Sequence, residues 1–517
     1  MADFALLLLP RAARSSALLA SPALPRRARH TLPRLAQLRM ASLPAHPVGH
    51  AGYESAVRDL NALQTTHEVI QQIRASRGRL NKYSIPEFAA FVEKVGYRAA
   101  DLDRLAVIHV TGTKGKGSTC AFVDAILRQH PARLKVGLFT SPHLIEVRER
   151  IQINGKPLSQ DAFARYFYDI YGRLTSSDPP LHRVHDGSPT MPMYFRYLTL
   201  MAFHAFLAEN VDVAIIEVGV GGEYDPTNVI ERPVVCGIAS LGLDHVPSLG
   251  TTIEEIAWNK AGIIKRAVPV VSVPQPASAL AVIAARAEER AAPLQVVTPL
   301  GSDGAAPQLG ISGDHQLTNA ALAAALCRTW AERTGRTPAD PAWIAAGLAA
   351  ARWPGRTQQF ASPRVPQLTW FVDGAHTAES MAACARWFTA ALESHGRPRC
   401  VLLFNAAHER NAAALLETLH ATAGRCAWVG AVFCPNTNTT RADSNNLNVA
   451  HDAELGPQKD AAAAWARFVP GPAAVLPSIN DAVRHIETAY AGQPTAILAT
   501  GSLHLVGGVL DIAKGSI

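Results

Sequence analysis

A glycine-rich segment between an apolar strand pattern and a helical pattern carries the clearest chemical signature of this 517-residue chain. Residues 109–119 read His-Val-Thr-Gly-Thr-Lys-Gly-Lys-Gly-Ser-Thr. The glycines permit positive φ and close backbone approach, and an anion can then sit on free amides at the start of the helix. Lys116 would reach the terminal phosphates of a nucleotide, and the Ser118 hydroxyl is placed to bind magnesium. The flanking strand and helix favour a nucleotide triphosphate site over a flexible Gly/Ser linker. The nucleotide-binding residues predicted on this segment are Gly112, Gly115, Lys116, Gly117, Ser118 and Thr119.

The pattern that follows predicts an α/β fold with a parallel sheet to position this loop. Short β-branched runs alternate with helical stretches, which is typical of strands buried on both faces. The runs lie at 136–139, 213–218, 234–239 and 268–273.

Polar residues stand where these predicted strands end. Ser141 and His143 follow the second strand, Glu217 lies at the end of the third, and Asp244 and His245 follow the fourth. Ligands of such sheets bind at the carboxyl ends of the strands. A carboxylate after a buried apolar run needs a cation, so Glu217 is a candidate metal ligand. A turn-capping role for Ser141 and a loop role for His245, oriented by Asp244, are the alternatives.

The length predicts two domains. Residues 353–356, Trp-Pro-Gly-Arg, follow an Ala-rich helical pattern, and Pro-Gly breaks the helix before strand and helix patterns restart. We expect an ATP-binding domain of the P-loop type at 50–352 and a smaller Rossmann-like domain at 353–517. Residues 435–460 read as a long irregular excursion. The strands expected in the second domain lie at 368–372, 401–404, 428–433 and 496–499.

The first 45 residues have the composition of a mitochondrial transit peptide. Seven arginines precede residue 40 and are opposed only by Asp3, so nearly all of the formal charge of +7 lies here. A secretory signal is disfavoured because the apolar run at 6–9 ends in Pro10 and Arg11, and a disordered tail without function is the further alternative. Initiation at Met40 would give a cytosolic form. The arginines are Arg11, Arg14, Arg26, Arg27, Arg29, Arg34 and Arg39.

The rest of the chain is nearly neutral, which argues against a nucleic acid partner. No apolar stretch approaches the ~20 residues that span a bilayer. The seven cysteines are scattered and form no Cys-x-x-Cys pair, so they read as reduced thiols of a matrix or cytosolic protein.

Further motifs occur in a fixed order from about Tyr53 to the C terminus. They include Thr-Ser-Pro-His-Leu at 140–144, Glu-Val-Gly-Val-Gly-Gly at 217–222, Leu-Asp-His at 243–245, Trp-Pro-Gly-Arg at 353–356, Asp-Gly-Ala-His-Thr at 373–377, Cys-Pro-Asn at 434–436 and Gly-Ser-Leu-His-Leu-Val-Gly-Gly at 501–508. Together with the phosphate loop, this set resembles the eukaryotic folylpolyglutamate synthases, of the same superfamily as the Mur ligases. Lys114 and Arg196 favour the eukaryotic type.

The resemblance implies an ATP-dependent ligase that adds L-glutamate to the γ-carboxylate of the glutamate tail of a reduced folate. A carboxylate is a poor electrophile, so it must first take the γ-phosphoryl group of ATP, and the amine then attacks the acyl phosphate. The implied cofactors are ATP and one or two Mg²⁺, with a monovalent cation such as K⁺ as an addition. We expect a monomer that meets its substrates in the mitochondrial matrix. Stable insertion into a membrane is not expected, whereas peripheral association with the inner membrane is compatible with the resemblance.

The resemblance also assigns residue roles. Lys116, Lys260 and His376 would be catalytic, and His376 would orient a substrate carboxylate or phosphate. A carbamate on Lys260 would convert a cation into an oxygen ligand, whereas the alternative is an exposed lysine on an amphipathic helix at 252–262. Oxygen ligands suit magnesium, although His245 is unusual for so hard an ion. The implied metal ligands are Ser118, Ser141, Glu217, His245 and carbamylated Lys260. The ATP-binding residues added from later segments are Asn319, Arg356 and Asp373. Helix-cap or turn roles are the alternatives for these three residues and for His376, and Arg356 could instead be a linker charge paired with a surface carboxylate.

One segment departs from the family pattern. After Asn405 the family has a Thr-Gly-Asp-Arg-Asp-like turn, whereas this chain has Ala-Ala-His-Glu-Arg-Asn at 406–411. Arg410 keeps the basic position, but the glycine is missing, which bears on glutamate docking. Two other functions stay open from the sequence: a dihydrofolate synthase with the same machinery, and a nucleotide-binding regulatory protein that has lost ligase chemistry.

Overall fold

The computed structural model describes residues 52–64, 80–302, 304, 306–337, 340–406, 410–438 and 454–515. The predicted transit peptide at 1–45 and Met40 lie outside the described residues. Two β-sheets organise the described chain, one of eight strands and one of six. The α/β class predicted from the sequence is confirmed.

The first sheet places the nucleotide loop at its centre. Its strand order is β4-β3-β2-β5-β1-β6-β7-β8, and β2, β5, β1, β6, β7 and β8 run parallel. Val110 of β1 pairs with Glu217 of β5, so the loop and the carboxylate emerge side by side. The strands are β1 Ile108–Thr111, β2 Val136–Phe139, β3 Ile151–Ile153, β4 Lys156–Pro157, β5 Val213–Glu217, β6 Val235–Ile238, β7 Val270–Ser272 and β8 Leu294–Val296.

An antiparallel hairpin at one edge of this sheet was not expected. β3 pairs antiparallel with β2 and with β4. The β3–β4 turn is Asn154-Gly155, and both residues adopt positive φ, 53° and 72°. Asn-Gly is a strong signal for a two-residue hairpin turn, so the sequence contains a local signal for this element. The first sheet is therefore mostly parallel, as predicted, with an antiparallel hairpin added at this edge.

Helices cover both faces of the first sheet. The helix after the loop is buried along nearly its whole length and packs against a second, Ala-rich helix and against the strands. Small side chains allow this close approach. The helices are α1 Tyr53–Asn61, α2 Ser84–Lys94, α3 Ala99–Leu102, α4 Lys116–Leu127, α5 Gln160–Thr175, α6 Tyr194–Ala208, α7 Val246–Leu249, α8 Ile253–Lys260, α9 Ala277–Glu289, α10 His315–Arg333 and α11 Pro341–Ala350.

The second sheet begins after the Trp-Pro-Gly-Arg segment. Its order is β13-β12-β11-β14-β10-β9, parallel except for the edge strand β9. The expected strands at 368–372, 401–404, 428–433 and 496–499 are all present, and β9 and β13 are additional. The strands are β9 Gln358–Ala361, β10 Leu368–Asp373, β11 Arg399–Phe404, β12 Trp428–Phe433, β13 Ala473–Val475 and β14 Thr495–Thr500. The helices are α12 Ala378–Ser394, α13 Ala412–Ala423, α14 Gly456–Ala466, α15 Ile479–Ala489 and α16 Leu503–Val509.

Three smaller predictions from the sequence concern the irregular excursion, the cysteines and membrane-spanning helices. The excursion expected at 435–460 ends earlier, because helix α14 begins at Gly456; residues 439–453 lie outside the described residues. All seven cysteines are free thiols, and six are buried. Among the described residues, no helix has the length and apolarity needed to cross a membrane.

Candidate active site

A cavity of about 1710 Å³ lies at the carboxyl ends of the strands and is lined by loops of both sheets. It brings together most of the residues that the sequence singled out. Gly112, Thr119 and Lys260 do not line it. Thr119 is fully buried, and its amide donates to the Gly115 carbonyl at 2.8 Å. The predicted residues on the cavity wall are Gly115, Lys116, Gly117, Ser118, Ser141, Glu217, His245, Asn319, Arg356, Asp373 and His376.

The nucleotide loop is held in shape by its neighbours. Gly112 has φ 151° and Gly115 has φ 83°, and a Cβ atom on Gly115 would lie 2.2 Å from Oδ1 of Asn319. The amides of Thr113 and Lys114 both donate to the Ser240 carbonyl, at 2.9 and 3.0 Å. Helix α4 then begins at Lys116, and the amides of its first turn have no acceptor within the helix. The segment therefore presents a preformed anion site to the cavity.

Two lysines share one carbonyl of this loop. Nζ of Lys260 donates to Gly112 O at 2.9 Å, and Nζ of Lys116 donates to the same oxygen at 3.1 Å. Lys260 is only 3% exposed, so the alternative of an exposed surface lysine is wrong. Burial, reinforced by the charge of Lys116, lowers the pKa of Lys260 to about 7.

Glu217 is a buried carboxylate beside the loop. It is 3% exposed, and its Oε2 accepts the Ser141 amide at 3.0 Å. Burial raises the pKa of Glu217, while Lys116 and the Ser141 amide oppose the rise. Nearby, the Ser118 hydroxyl accepts a long hydrogen bond of 3.5 Å from Gln316, whose Oε1 accepts from Asn319. In the described part of the chain, no three His, Cys, Asp or Glu side chains are grouped so that they could hold a metal by themselves.

Asp244 has a different role from the one expected. Its Oδ1 accepts the His245 amide, not the imidazole, at 3.0 Å, and its Oδ2 accepts Nζ of Lys114 at 3.0 Å. Arg410 also donates to Oδ1, from two nitrogens at 3.3 Å each. Burial alone would raise the pKa of Asp244, but Lys114 holds it below its usual range. Asp244 thus links the loop to Arg410, and His245 has backbone in the left-handed region with φ 51°.

The turn after β10 contributes a carboxylate that is fully occupied by backbone amides. Asp373 accepts from Thr357 at 2.8 Å and from Ala375 at 2.9 Å. Burial raises the pKa of Asp373, and Arg356 opposes the rise. Arg356 itself donates to the Gly355 carbonyl at 3.2 Å. The acid therefore fixes the turn and places Arg356 at the cavity.

The hydrogen bonds of His376 define its tautomer. Its Nδ1 lies 2.8 Å from the Gly374 carbonyl and must donate, so Nε2 keeps a lone pair in the neutral ring. Nζ of Lys114 lies 3.4 Å from this Nε2. Burial and Lys114 lower the pKa of His376 to about 4. At neutral pH His376 is therefore an acceptor at Nε2.

Sequence reasoning missed the long-range contacts that hold the site together. Asp244, Gln316 and Thr357 each join segments more than 40 residues apart. No local spacing reports such contacts. Residues 407–409 of the atypical segment lie outside the described residues, while Arg410 is present at the cavity-side network with Asp244.

Comparison with known proteins identifies the family of the chain. The sequence matches no protein-family model. It is 45% identical over 437 residues to the mitochondrial folylpolyglutamate synthase of Homo sapiens, covering 78% of this chain and 72% of the relative. It is 38% identical over 504 residues to a putative folylpolyglutamate synthase of Caenorhabditis elegans, covering 92% and 95%. A solved folylpolyglutamate synthase complex with AMPPCP and folate aligns with a TM-score of 0.63 at 26% identity, covering 89% of this chain and 99% of that one. The chain belongs to the folylpolyglutamate synthase family.

Proposed function

We propose that the cavity gathers Mg·ATP, a reduced folate and L-glutamate, so that the γ-carboxylate of the folate tail is phosphorylated by ATP and then captured by the glutamate amine. ADP and phosphate are the other products. The observation that carries this proposal is the single cavity onto which both the nucleotide loop and the Asp373–His376 turn open. Two sets of groups on one wall can align an acceptor with a phosphoryl donor, and alignment is the main requirement of such a transfer.

Residues of both sheets would hold ATP. The amides of Gly115 to Ser118 and the Lys116 ammonium face the phosphates, with Gly112 allowing the bend and Thr119 supporting the helix from its buried side. Asn319 lies behind Gly115, where its Oδ1 occupies the space that a Cβ atom on residue 115 would need. Arg356, fixed beside Asp373, supplies a guanidinium from the second sheet, a group well matched to phosphate oxygens.

The donor set fits magnesium. Glu217 offers one buried carboxylate, and Ser118 and Ser141 offer hydroxyl oxygens; Mg²⁺ in nucleotide sites is usually bound by one or two carboxylates together with phosphates and water. This agrees with the absence of a three-residue metal cluster among the described side chains. Among the candidate ligands, His245 suits magnesium least, because a nitrogen ligand is unusual for so hard an ion. A bound Mg²⁺ would neutralise phosphate charge, and a second ion or K⁺ would belong to the same region.

Carbamylation of Lys260 is supported by its surroundings. A carbamate forms only from the neutral amine, which attacks CO₂ and then loses a proton. A pKa of about 7 leaves a large neutral fraction at the pH of a mitochondrial matrix. The product is an anionic oxygen ligand beside Gly112, where Lys116 would offset its charge.

His376 and Arg410 would receive the incoming glutamate. Because Nε2 of His376 is an acceptor, it suits the amine of glutamate and not a carboxylate, which revises the role expected from the sequence. Arg410, held by Asp244, is the cation available nearby for a glutamate carboxylate.

The proposal has three further parts. The chain forms two domains, at 50–352 and 353–517, and is a monomer. Residues 1–45 direct it to the mitochondrion. The relative from Homo sapiens is named mitochondrial, which supports the targeting. Initiation at Met40 would supply a cytosolic form, and peripheral contact with the inner membrane is compatible with the lack of a spanning helix among the described residues.

Phosphate release with different acceptors tests the proposed function. We expect release that requires both tetrahydrofolate and glutamate, together with a product longer by one glutamate in mass spectrometry. Release that depends on dihydropteroate would identify a dihydrofolate synthase instead. Release with neither acceptor, or none at all, would contradict ligase function.

A further inference from the structure

A histidine and an arginine in the cavity wall have no part in the roles assigned above. Nε of Arg150 donates to Nδ1 of His143 at 2.9 Å. Arginine has no acceptor atom, so Nδ1 carries the lone pair and the neutral ring has its proton on Nε2. His143 is 5% exposed, and this Nε2 has no hydrogen-bond partner among the described residues. The wall therefore holds a buried N–H donor without an acceptor, which is costly unless a ligand satisfies it.

Arg150 lines the cavity without an acidic partner. Of the other arginines in this wall, Arg128 is ion-paired with Asp124, Arg148 with Glu146 and Arg196 with Glu87, whereas Arg352 and Arg356 donate to backbone carbonyls. Within the described part of the chain, Arg150 takes part in no ion pair with an acid, and its guanidinium lies over the Tyr194 ring at 5.6 Å.

The acid next to Arg150 in the chain is already occupied. Glu149 accepts the amides of Leu144, Ile145 and Glu146, at 2.7 to 3.2 Å. A half-buried cation with free N–H groups beside an unsatisfied buried N–H donor is a site for a small anion.

We propose that Arg150 and the Nε2–H of His143 bind the α-carboxylate of the terminal glutamate of the folate acceptor. The inference rests on the proposed function and adds a determinant of its regiospecificity. Ser141 and His143 lie on one loop, so a terminal glutamate whose γ-carboxylate faces Ser141 and Glu217 has its α-carboxylate a few bonds away, toward His143. Holding the α-carboxylate there leaves the γ-carboxylate as the group exposed to ATP.

Acceptors with and without the α-carboxylate test this directly. The native acceptor is compared with its α-carboxamide analogue, which keeps the γ-carboxylate. We expect the wild-type protein to prefer the native acceptor by roughly tenfold to hundredfold in kcat/KM, the range of one charge-assisted pairing. Arg150→Met should lower kcat/KM by about that factor with the native acceptor. With the analogue it should lower kcat/KM only slightly, so the preference for the native acceptor collapses. His143→Phe should reduce the preference in the same direction by less.

Arg148→Met is the matched control, since Arg148 lines the same cavity two residues away but is bound to Glu146 and to the Leu158 carbonyl. It should keep the full preference. Arg150→Lys, with its charge retained, should keep part of it, and thermal unfolding of each variant identifies any loss of folding. Direct binding of the acceptor without ATP, followed by fluorescence quenching, gives a readout independent of turnover.

The outcomes separate this inference from the proposed function. An unchanged α-carboxylate preference in folded Arg150→Met would overturn the inference while leaving the ligase intact. A fall in kcat with both acceptors alike would place Arg150 on the transferring phosphoryl group instead. A wild-type protein that lengthens neither acceptor would refute the proposed function itself.

Discussion

The two turns that face each other across the cavity are built on different principles. The nucleotide loop at 112–118 presents cations and backbone amides from one contiguous segment, and its Lys116 donates to the Gly112 carbonyl of the same loop. The turn at 373–376 presents a carboxylate occupied by amides and a neutral imidazole, and its shape depends on Thr357 and Lys114 from other segments. We infer that the nucleotide loop keeps its shape when one of its side chains is removed, whereas the turn at 373–376 does not.

The difference matters for catalysis. Phosphate binding needs many donors in a small volume, which a glycine-rich loop before a helix supplies locally. Placement of an acceptor and an amine needs groups from distant parts of the chain, which only the folded contacts supply. Variants of the two turns should therefore separate activity from stability.

Lys116→Ala should have the largest effect on turnover. Removing the loop ammonium from the transferring phosphates should lower kcat by about a thousandfold, at the upper end for one electrostatic group. The unfolding temperature should stay close to wild type, because Lys116 contributes one hydrogen bond to a carbonyl that Lys260 still contacts. Exposed Lys459, changed to Ala, is the control. Near-normal turnover in Lys116→Ala would refute the loop assignment.

Lys260→Ala should lower turnover by roughly a hundredfold, as expected for one ligand or electrostatic group, with partial rescue by acetate or formate that replaces the carbamate oxygens. ¹³C NMR under labelled CO₂ should show a carbamate resonance in the wild type that disappears in this variant. Lys265→Ala provides the comparison, since Lys265 is a partly buried lysine that donates to the Asn228 carbonyl instead. Full activity without added acids would exclude the carbamate.

Asp373→Ala should reduce both activity and stability, in contrast to Lys116→Ala. Two amides lose their acceptor in a buried turn, which costs about 1–3 kcal/mol in the free energy of unfolding for each unsatisfied group. Urea unfolding measures this loss, and the KM for ATP should rise because Arg356 is no longer fixed. Unchanged stability would show that the two turns are alike.

The smallest effect that we expect is a change in the pH dependence of stability, in the variant His376→Gln. In the unfolded chain the imidazole takes a proton below about pH 6.5, whereas in the folded protein it does so only near pH 4. The unfolded state therefore binds more protons between these values, and stability falls as the pH falls. The variant should show a shallower fall in unfolding temperature from pH 6.5 to 4.5. A steeper fall would contradict the neutral, buried histidine.

Local patterns in the sequence were sufficient for the loop, for most parallel strands and for the polar residues at their ends. Lys116 could be identified because a strand, a turn and a helix follow one another within a few residues, and Glu217 because it ends a buried apolar run. The role of Asp244 and the occupied state of Asp373 could not, since both depend on segments that meet only in the fold. The burial of Lys260 was also inaccessible, because a helix of eight residues does not reveal which face contacts Gly112. The β3–β4 hairpin is an exception among the features not predicted, because its Asn154-Gly155 turn is a local signal in the sequence.

The most direct test of the central claim is the transfer of oxygen from the folate carboxylate. An acceptor labelled with ¹⁸O in its γ-carboxylate is incubated with magnesium, ATP and glutamate, and the released phosphate is analysed by mass spectrometry. Phosphorylation of the carboxylate predicts one ¹⁸O atom in each phosphate, formed in equal amount with the lengthened folate. Unlabelled phosphate accompanying the same product would contradict an acyl phosphate and, with it, the convergence of both turns on the transferred group.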